Sequence, residues 1–369
     1  MTTKLSTKNN VRGKVVNTVT RTIKVKIPYS LSHLLQSLYP IALMSARKML
    51  KHRNQSSSKY YPDIPCVIAK SLITKYQRNR KCRAINNLVL PVCGDKGKQI
   101  KLVEGGIRIP AIFSKEVLPV AFPLPVEGFV RQVEFFRREG VWFASICYNT
   151  KTQSVIHVDG CIGVDRNSVG NIAVMADPQT GKVFKLGISP GPTKVAMRNR
   201  RKNLQKVGKF RLLSKLRRKQ RRRMSYENHR ASRTIVDYAA KHCRAVAIEN
   251  LDSVRSPDSK IRHYSEKNQW AFAQLETFIR YKCALRGIPV IAINPAYTSQ
   301  TCSRCGEIHK PDGKKFVCPK CGRTEHRDAN AAFNISKRGL LVLSGGILSV
   351  LPSGFTGDAQ ARKEVAHVA

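Results

Sequence analysis

The sequence predicts an α+β protein that contains more than one domain. Its 369 residues are enough for two or three domains with sizeable cores. The first half alternates short strand patterns with one small helical segment, which is typical of a β-module with an insert. The second half has the order strand, strand, strand, helix, strand, helix, strand, helix, and two pairs of cysteines interrupt it before the last helix.

In the N-terminal half, apolar and polar residues alternate over 22–27 as they do in a half-buried strand. Apolar spacing predicts a helix over 32–52 that is bent or interrupted at Pro40. Residues 63–65 predict the start of a second helix, which ends in a basic stretch over 75–83. The remaining patterns are strands at 88–90, 99–103 and 107–109, and a hairpin of 130–136 with 141–148. We therefore expect a β-domain with a helical insert, built from 1–28 and 86–158 with the insert at 29–85.

The C-terminal half begins with three strand patterns, at 161–165, 170–176 and 182–186. A long basic helical region follows over 193–241. The remaining elements are a strand at 245–249, a helix at 268–285, a strand at 289–293 and a helix at 328–337. This order is that of an RNase H-like domain, which we expect at 159–295 and 327–338. The cysteine segment of 296–326 is inserted before the final helix, and the tail of 339–369 is expected to be disordered.

The charge balance predicts a polyanionic partner. The chain has 67 Lys and Arg against 23 Asp and Glu, a formal net charge of +44. A chain this basic repels itself unless a polyanion neutralises it, and nucleic acid is the first expectation. An anionic membrane surface is the alternative. The first residues lack the apolar run of a signal peptide, and the apolar stretch 340–351 is too short for a membrane span, so we expect a cytoplasmic, nucleoid-associated protein without a membrane partner.

Four cysteines form two C-x-x-C pairs, each followed by a glycine that permits a tight turn: Cys302, Cys305, Cys318 and Cys321. This spacing suits the closed tetrahedral shell of one structural Zn²⁺. Two surface loops with spare thiols are the alternative, which the repeated pattern disfavours. The other cysteines are scattered along the chain, and we expect most of them to be buried reduced thiols.

Three acidic residues are the candidate catalytic groups. Asp165 and Glu249 lie at the ends of apolar strands, and Asp328 opens the final helix. Converging carboxylates repel one another unless divalent cations neutralise them, and hard oxygen ligands select Mg²⁺ or Mn²⁺. Such ions support phosphodiester hydrolysis. Taken singly, each acid could instead be solvated, and Asp328 could be only a helix cap.

The helical region 194–230 contains many basic residues and a single acid, Glu227. Too few acids are present for the region to be a self-paired surface, so we expect it to bind a nucleic-acid backbone. A solvated helix face is the alternative. Its densest part consists of Arg217, Arg218, Lys219, Arg221, Arg222 and Arg223.

Several motifs resemble those of TnpB proteins. Residues 163–167 (GVDRN) with 170–173 (GNIA), and then 248–251 (IENL), resemble the first two RuvC motifs of that family. The segment that runs from 297–302 (YTSQTC) to 327–332 (RDANAA) resembles its zinc ribbon and third RuvC motif. The resemblance covers about residues 160–338. The N-terminal half is similar only in kind, as a wedge-like β-domain with a helical recognition insert.

TnpB proteins are transposon-encoded, RNA-guided DNA endonucleases related to the type V CRISPR effectors. The resemblance therefore implies a RuvC-like nuclease domain with an inserted zinc ribbon, in which Asp165, Glu249 and Asp328 bind Mg²⁺ or Mn²⁺ and cleave DNA at one site. It also implies a guide RNA from the transposon end and a double-stranded DNA target with a short adjacent motif, while no small-molecule substrate is expected. Association with a CRISPR array instead of a transposon is left open.

Two other functions remain open at this point. One is an RNA-guided DNA-binding protein that does not cleave, against which the complete set of three acids argues. The other is an RNase H-like DNA transposase. The cysteine segment just before the last acid favours the nuclease over this transposase.

Overall fold

The computed structural model describes residues 18–167, 171–188, 191–251 and 262–345, and it has the mixed α+β character that the sequence predicts. The chain forms two compact units and passes from the first to the second between Thr152 and Gln153, a little before the boundary expected at 158. Within the described ranges, no helix combines the length and the apolar character that crossing a membrane requires.

The first unit contains two antiparallel sheets. The larger has the spatial order β1-β7-β6-β2 and the smaller the order β3-β4-β5. The strands are β1 (Thr18–Lys26), β2 (Leu90–Cys93), β3 (Lys101–Val103), β4 (Gly106–Arg108), β5 (Val117–Pro119), β6 (Val130–Arg138) and β7 (Val141–Lys151). Helices α1 (Tyr29–Lys51), α2 (Cys66–Leu72) and α3 (Pro110–Phe113) share one apolar core with the strands. A π-helical turn at Ile73–Gln77 continues α2.

Helix α1 passes through Pro40 without interruption, in contrast to the break that the sequence allowed. Proline lacks the N–H that would bond to the carbonyl of Gln36. Both Pro40 and Gln36 are exposed, so water can satisfy that carbonyl. The helix therefore accommodates the proline on its solvent side.

The second unit is built on one five-stranded sheet with the spatial order β10-β9-β8-β11-β12. Strands β8, β9 and β10 form an antiparallel meander, whereas β11 pairs in parallel with both β8 and β12. The strands are β8 (Gly160–Arg166), β9 (Asn171–Asp177), β10 (Lys182–Ile188), β11 (Arg244–Glu249) and β12 (Val290–Ile293). Two short strands, β13 (Lys315–Val317) and β14 (Thr324–His326), pair within the cysteine segment.

Helices cover both faces of this sheet. Helices α5 (Phe210–Lys241) and α6 (Arg262–Ala284) share an apolar core with one face. Helix α7 (Arg327–Leu343) packs on the other face, where its Ala329, Ala332 and Phe333 meet Val174 and Ala176 of β9. The sheet edge that carries the candidate acids is therefore held between helical layers.

The long basic region is two helices and not one. Helix α4 (Gly191–Lys206) ends before Gly208, whose φ of +67° is left-handed, and α5 begins at Phe210. A glycine reaches that conformation with little strain, so the chain can turn between the helices.

The start of the disordered tail was predicted at residue 339, which is too early in the sequence. Helix α7 continues to Leu343, because Gly339 is seated against the sheet: a Cβ there would lie 2.5 Å from the Cβ of Ala247 and 2.8 Å from the Sγ of Cys161. This packing carries the helix past 337, where the sequence placed its end. Residues 346–369 of the expected tail lie outside the described residues.

Candidate functional site

Parallel pairing of β8 and β11 brings two of the candidate acids side by side. Ile248 lies opposite Val164, so Glu249 and Asp165, one residue further along each strand, share one end of the sheet. Alternate residues of a strand face opposite sides of the sheet. Val164 and Ile248 belong to the core with α5 and α6, so both carboxylates lie on the side of α7.

Helix α7 brings the third acid to the same place. Its backbone lies directly on β8, since a Cβ at Gly163 would lie 1.9 Å from the carbonyl oxygen of Ala332. Asp328 is one helical turn before Ala332 and is buried. His326 precedes the helix, and its Nδ1 accepts a hydrogen bond of 3.3 Å from the backbone N–H of Asp328. His326 is therefore the cap, and Asp328 lies in the first turn.

Two of the carboxylates, Glu249 and Asp328, are close enough to Asp165 to affect its pKa. Burial raises the pKa of Asp165 to about 7, and the negative charges of Glu249 and Asp328 contribute to the rise. Burial also raises the pKa of Glu249. Removing a carboxylate from water penalises its charged form, and neighbouring like charges add to that penalty. A buried acidic cluster of this kind attracts cations.

Each carboxylate also has a polar partner. The amide Nδ2 of Asn167 donates to Oδ2 of Asp165 at 3.1 Å, and the hydroxyl of Thr298 donates to Oε1 of Glu249 at 2.6 Å. The ammonium of Lys314 lies 2.5 Å from Oδ2 of Asp328, and Nε of the Arg327 guanidinium lies 3.3 Å from Oδ1.

Sequence reasoning did not identify these partners. Lys314 stands between the two cysteine pairs in a chain rich in lysine, so its position gives no signal. Thr298 stands 49 positions from Glu249, and only the fold brings the two together.

Arg166 connects the strand ends that carry Asp165 and Glu249 to helix α6. It follows Asp165 on β8 and therefore faces the opposite side of the sheet, where its guanidinium is fully buried. Nη1 bonds to Oε2 of Glu276 at 2.7 Å, and Nη2 donates to the backbone carbonyl of Glu249 at 2.6 Å. One arginine thus ties the ends of β8 and β11 to the helix behind them.

The four cysteines predicted to share a metal ion lie together. Their Sγ atoms are all within 4.8 Å of one another, with 3.7 Å between Cys302 and Cys321 and 3.5 Å between Cys305 and Cys318. A tetrahedral ion with metal–sulfur bonds of about 2.3 Å would separate its sulfurs by about 3.8 Å. The arrangement therefore fits a four-cysteine metal site.

The predicted nucleic-acid-binding residues lie in the N-terminal half of α5. All six are exposed: Arg217, Arg218, Lys219, Arg221, Arg222 and Arg223. From Ala231 onward the same helix packs on the sheet, with Ile235 and Val236 in the core. One continuous helix therefore joins a basic surface to the sheet that carries the acids.

Comparison with known proteins places this arrangement in a family. A model of the Cas12f1-like TNB domain matches residues 272–335. CRISPR-associated endodeoxyribonuclease Cas12f1 of Sulfoacidibacillus thermotolerans is 31% identical over 313 residues, which cover 79% of this chain and 72% of the relative. The chain belongs to the family of TnpB and Cas12f proteins.

Other members of the TnpB and Cas12f family match less of their own length. Cas12f2 of a Micrarchaeota archaeon is 28% identical over 306 residues, 68% of this chain and 55% of the relative. The putative RNA-guided DNA endonuclease InsQ of Escherichia coli is 28% identical over 246 residues, 60% of each chain. The chain thus spans about half to three quarters of the length of these relatives.

Proposed function

We propose that this TnpB and Cas12f family member is an RNA-guided DNA endonuclease of a transposable element, cleaving DNA by metal-dependent phosphodiester hydrolysis. The observation that carries the proposal is the meeting of Asp165, Glu249 and Asp328 at one end of the five-stranded sheet. The strand order, with a three-stranded meander and two parallel strands beside it, supports a RuvC-like domain of the RNase H class. The names of the Cas12f and InsQ relatives describe DNA endonucleases.

The oxygen donors of the acidic cluster suit a hard divalent cation in chemical type. Three carboxylates supply oxygen ligands, and burial leaves Asp165 partly protonated near neutral pH, so the cluster favours added positive charge. Asp165, Glu249 and Asp328 would hold Mg²⁺ or Mn²⁺. When bound, such ions activate a water and stabilise the leaving oxygen.

The protein's own groups orient the carboxylates and supply further positive charge. Asn167 and Thr298 each fix one carboxylate oxygen by donating a hydrogen bond to it. Lys314 places an ammonium beside Asp328, where it can also approach a phosphate oxygen.

We infer that the four-cysteine site holds Zn²⁺, which thiolates in tetrahedral geometry favour. All four positions are taken by protein ligands, so the ion has a structural role within a zinc ribbon. The proposed partners are a guide RNA from the transposon end and double-stranded DNA with a short adjacent motif. Such partners place the protein at the nucleoid.

The function can be tested with the protein purified together with the RNA that it retains. Sequencing this RNA identifies the guide, and the purified complex is then incubated with plasmids that carry a matched target beside a randomised flank. We expect cleavage only in Mg²⁺ or Mn²⁺, only of the matched target, and only with a subset of flanks. Retained RNA of random sequence, or equal cleavage of unmatched plasmid, would contradict the proposal.

The raised pKa of Asp165 predicts a pH dependence for metal binding. Its folded-state value of about 7 lies above the ordinary value of 3.8, so the metal-free protein keeps a proton that the unfolded chain has lost. Folding stability without Mg²⁺ should therefore fall as the pH rises from about 4 to 7, and Mg²⁺ should reverse the loss. Because binding expels this proton, Mg²⁺ affinity should drop by about tenfold between pH 6 and pH 5.

Calorimetric titration of Mg²⁺ in two buffers with different ionisation enthalpies measures the proton release directly. The experiment is done without a chelator, which would also remove the metal from the cysteines. Asp312→Asn, which removes an exposed acid from the cysteine segment, is the matched control and should leave proton release unchanged. Absence of proton release at pH 6 would show that Asp165 is already ionised.

Neutralising the basic surface of α5 should weaken RNA binding without regard to sequence. The variant carries glutamine in place of Arg217, Arg218, Arg221 and Arg222, which are exposed residues, and glutamine preserves helix propensity. Each lost phosphate contact should reduce the slope of log affinity against log salt by about 0.7 to 0.9. The control removes four exposed charges elsewhere: Lys96, Lys98, Lys101 and Lys115. Equal slopes for wild type and the α5 variant would show that this face is only solvated.

A further inference from the structure

Helix α7 anchors the segment that leads into the first cysteine pair. Nδ2 of Asn334 donates to the backbone carbonyls of Thr298 at 2.9 Å and Thr301 at 2.6 Å. Asn330 donates to the same Thr301 carbonyl at 2.7 Å and accepts from the N–H of Ser303 at 2.9 Å. Both asparagines are buried, so these amides satisfy backbone groups that water does not reach.

The anchored segment contacts Glu249 through one side chain. Thr298 is only 4% exposed, and its hydroxyl lies 2.6 Å from Oε1 of Glu249 and 3.1 Å from the carbonyl of Pro295. A hydroxyl has a single hydrogen to donate, and the shorter distance assigns that hydrogen to the carboxylate. A length of 2.6 Å is typical of a charge-assisted O–H···O⁻ bond.

We propose that Thr298 is a positioning residue that fixes the orientation of the Glu249 carboxylate for metal binding. The hydrogen bond to Oε1 limits rotation of the Glu249 carboxylate, which would then present its oxygens to a cation in one orientation. This inference rests on the proposed metal-dependent function. It also gives the cysteine segment a second connection to the acids: Lys314, between the cysteine pairs, contacts Asp328, and Thr298, before them, contacts Glu249.

The backbone of Thr298 is anchored at the position from which its hydroxyl contacts Glu249. Its carbonyl is held by Asn334 and its N–H donates to the carbonyl of Pro295, so both polar groups of the main chain have partners. The hydroxyl therefore approaches Glu249 from a fixed support. Partners that orient metal ligands in this way are typically worth 10- to 100-fold in metal affinity or activity.

The test compares one substitution that removes the hydroxyl with one that keeps it. Thr298→Val keeps the size and branching and loses the donor, whereas Thr298→Ser keeps the donor. Mn²⁺ binding to the guide-loaded protein is measured by electron paramagnetic resonance, together with the Mg²⁺ concentration that gives half-maximal cleavage. We expect Thr298→Val to weaken Mn²⁺ binding about tenfold and to raise the half-maximal Mg²⁺ concentration similarly. Thr298→Ser should remain within about twofold of wild type, and both variants should retain their zinc, their melting temperature and guided DNA binding.

The outcomes separate this inference from the proposed function. Wild-type Mn²⁺ affinity and wild-type Mg²⁺ dependence in Thr298→Val would overturn the positioning role, even if the wild type cleaves. Weakened Mn²⁺ binding in Thr298→Val, in a protein whose wild type does not cleave, would support the role of Thr298 and overturn the nuclease. A wild type that binds no Mn²⁺ would overturn both. A lower melting temperature in Thr298→Val with unchanged Mn²⁺ affinity would show that the hydroxyl is only structural.

Discussion

Replacement of Asp165 with asparagine should abolish cleavage of a matched target while guided binding of that target persists. Asparagine preserves the size of the side chain but removes the charge that a divalent cation requires. We expect the cleavage rate to fall by about 10³-fold or more, equivalent to roughly 4 kcal/mol of transition-state stabilisation. The fold should tolerate the change, because Asp165 is buried beside Glu249 and Asp328 and its charge is repelled there.

The measurement is single-turnover cleavage at saturating Mg²⁺, with binding followed on the same target. Asp312→Asn is the matched control: it removes a carboxylate that is exposed within the cysteine segment and should cleave like the wild type. Substantial cleavage by the Asp165→Asn protein would remove Asp165 from the catalytic role. Loss of binding together with cleavage would show that the substitution damages more than the chemistry.

Replacement of Cys318 with serine should release the metal ion and inactivate the protein. The core of the cysteine segment is small and consists of Cys302, Phe316 and Cys318 with Cys321 packed beside them. Since the thiols form most of this core, metal coordination must supply most of the free energy that orders the segment. We expect the zinc content to fall from about one ion per chain to nearly none.

Disorder of the cysteine segment should remove contacts to two of the three acids, Asp328 and Glu249. Lys314 would no longer be held at Asp328, and Thr298 would lose its support beside Glu249. Cleavage should therefore fall even in saturating Mg²⁺. Cys93→Ser, at an exposed cysteine of β2, is the matched control and should retain its zinc and its activity. A Cys318→Ser protein with full zinc content and full cleavage would show that the ion is held by other ligands.

Local patterns predicted the elements that carry the acids. Apolar runs that end in Asp165 and Glu249 indicated two neighbouring strands, and the C-x-x-C spacing indicated that four cysteines share one ion. These signals are contained within short stretches of chain. The assignment of the three acids as catalytic stays a prediction until the variants are measured.

The contacts around the acids could not be predicted in the same way. Lys314, Thr298 and Arg166 take their roles from residues that are distant in sequence, and a basic or hydroxyl side chain is unremarkable in this chain. Sequence patterns also did not predict how far two helices continue, because packing and exposure decide this. Helix α7 passes 338 because Gly339 fits against the sheet, and α1 passes Pro40 because that face is exposed.

The continuity of α5 bears on where the proposed nuclease would cut DNA. The helix has 32 residues and is about 48 Å long, and no turn separates its exposed basic half from the half that packs on the sheet. A nucleic-acid backbone bound at Arg217–Arg223, as proposed, would lie roughly 20 Å along the helix from Ile235, which packs in the core of the sheet. The fixed separation along the helix would then set the cut position relative to the bound phosphates, and this position would stay the same from one guide to the next. Lengthening it by one turn should move the cut by a fixed number of nucleotides.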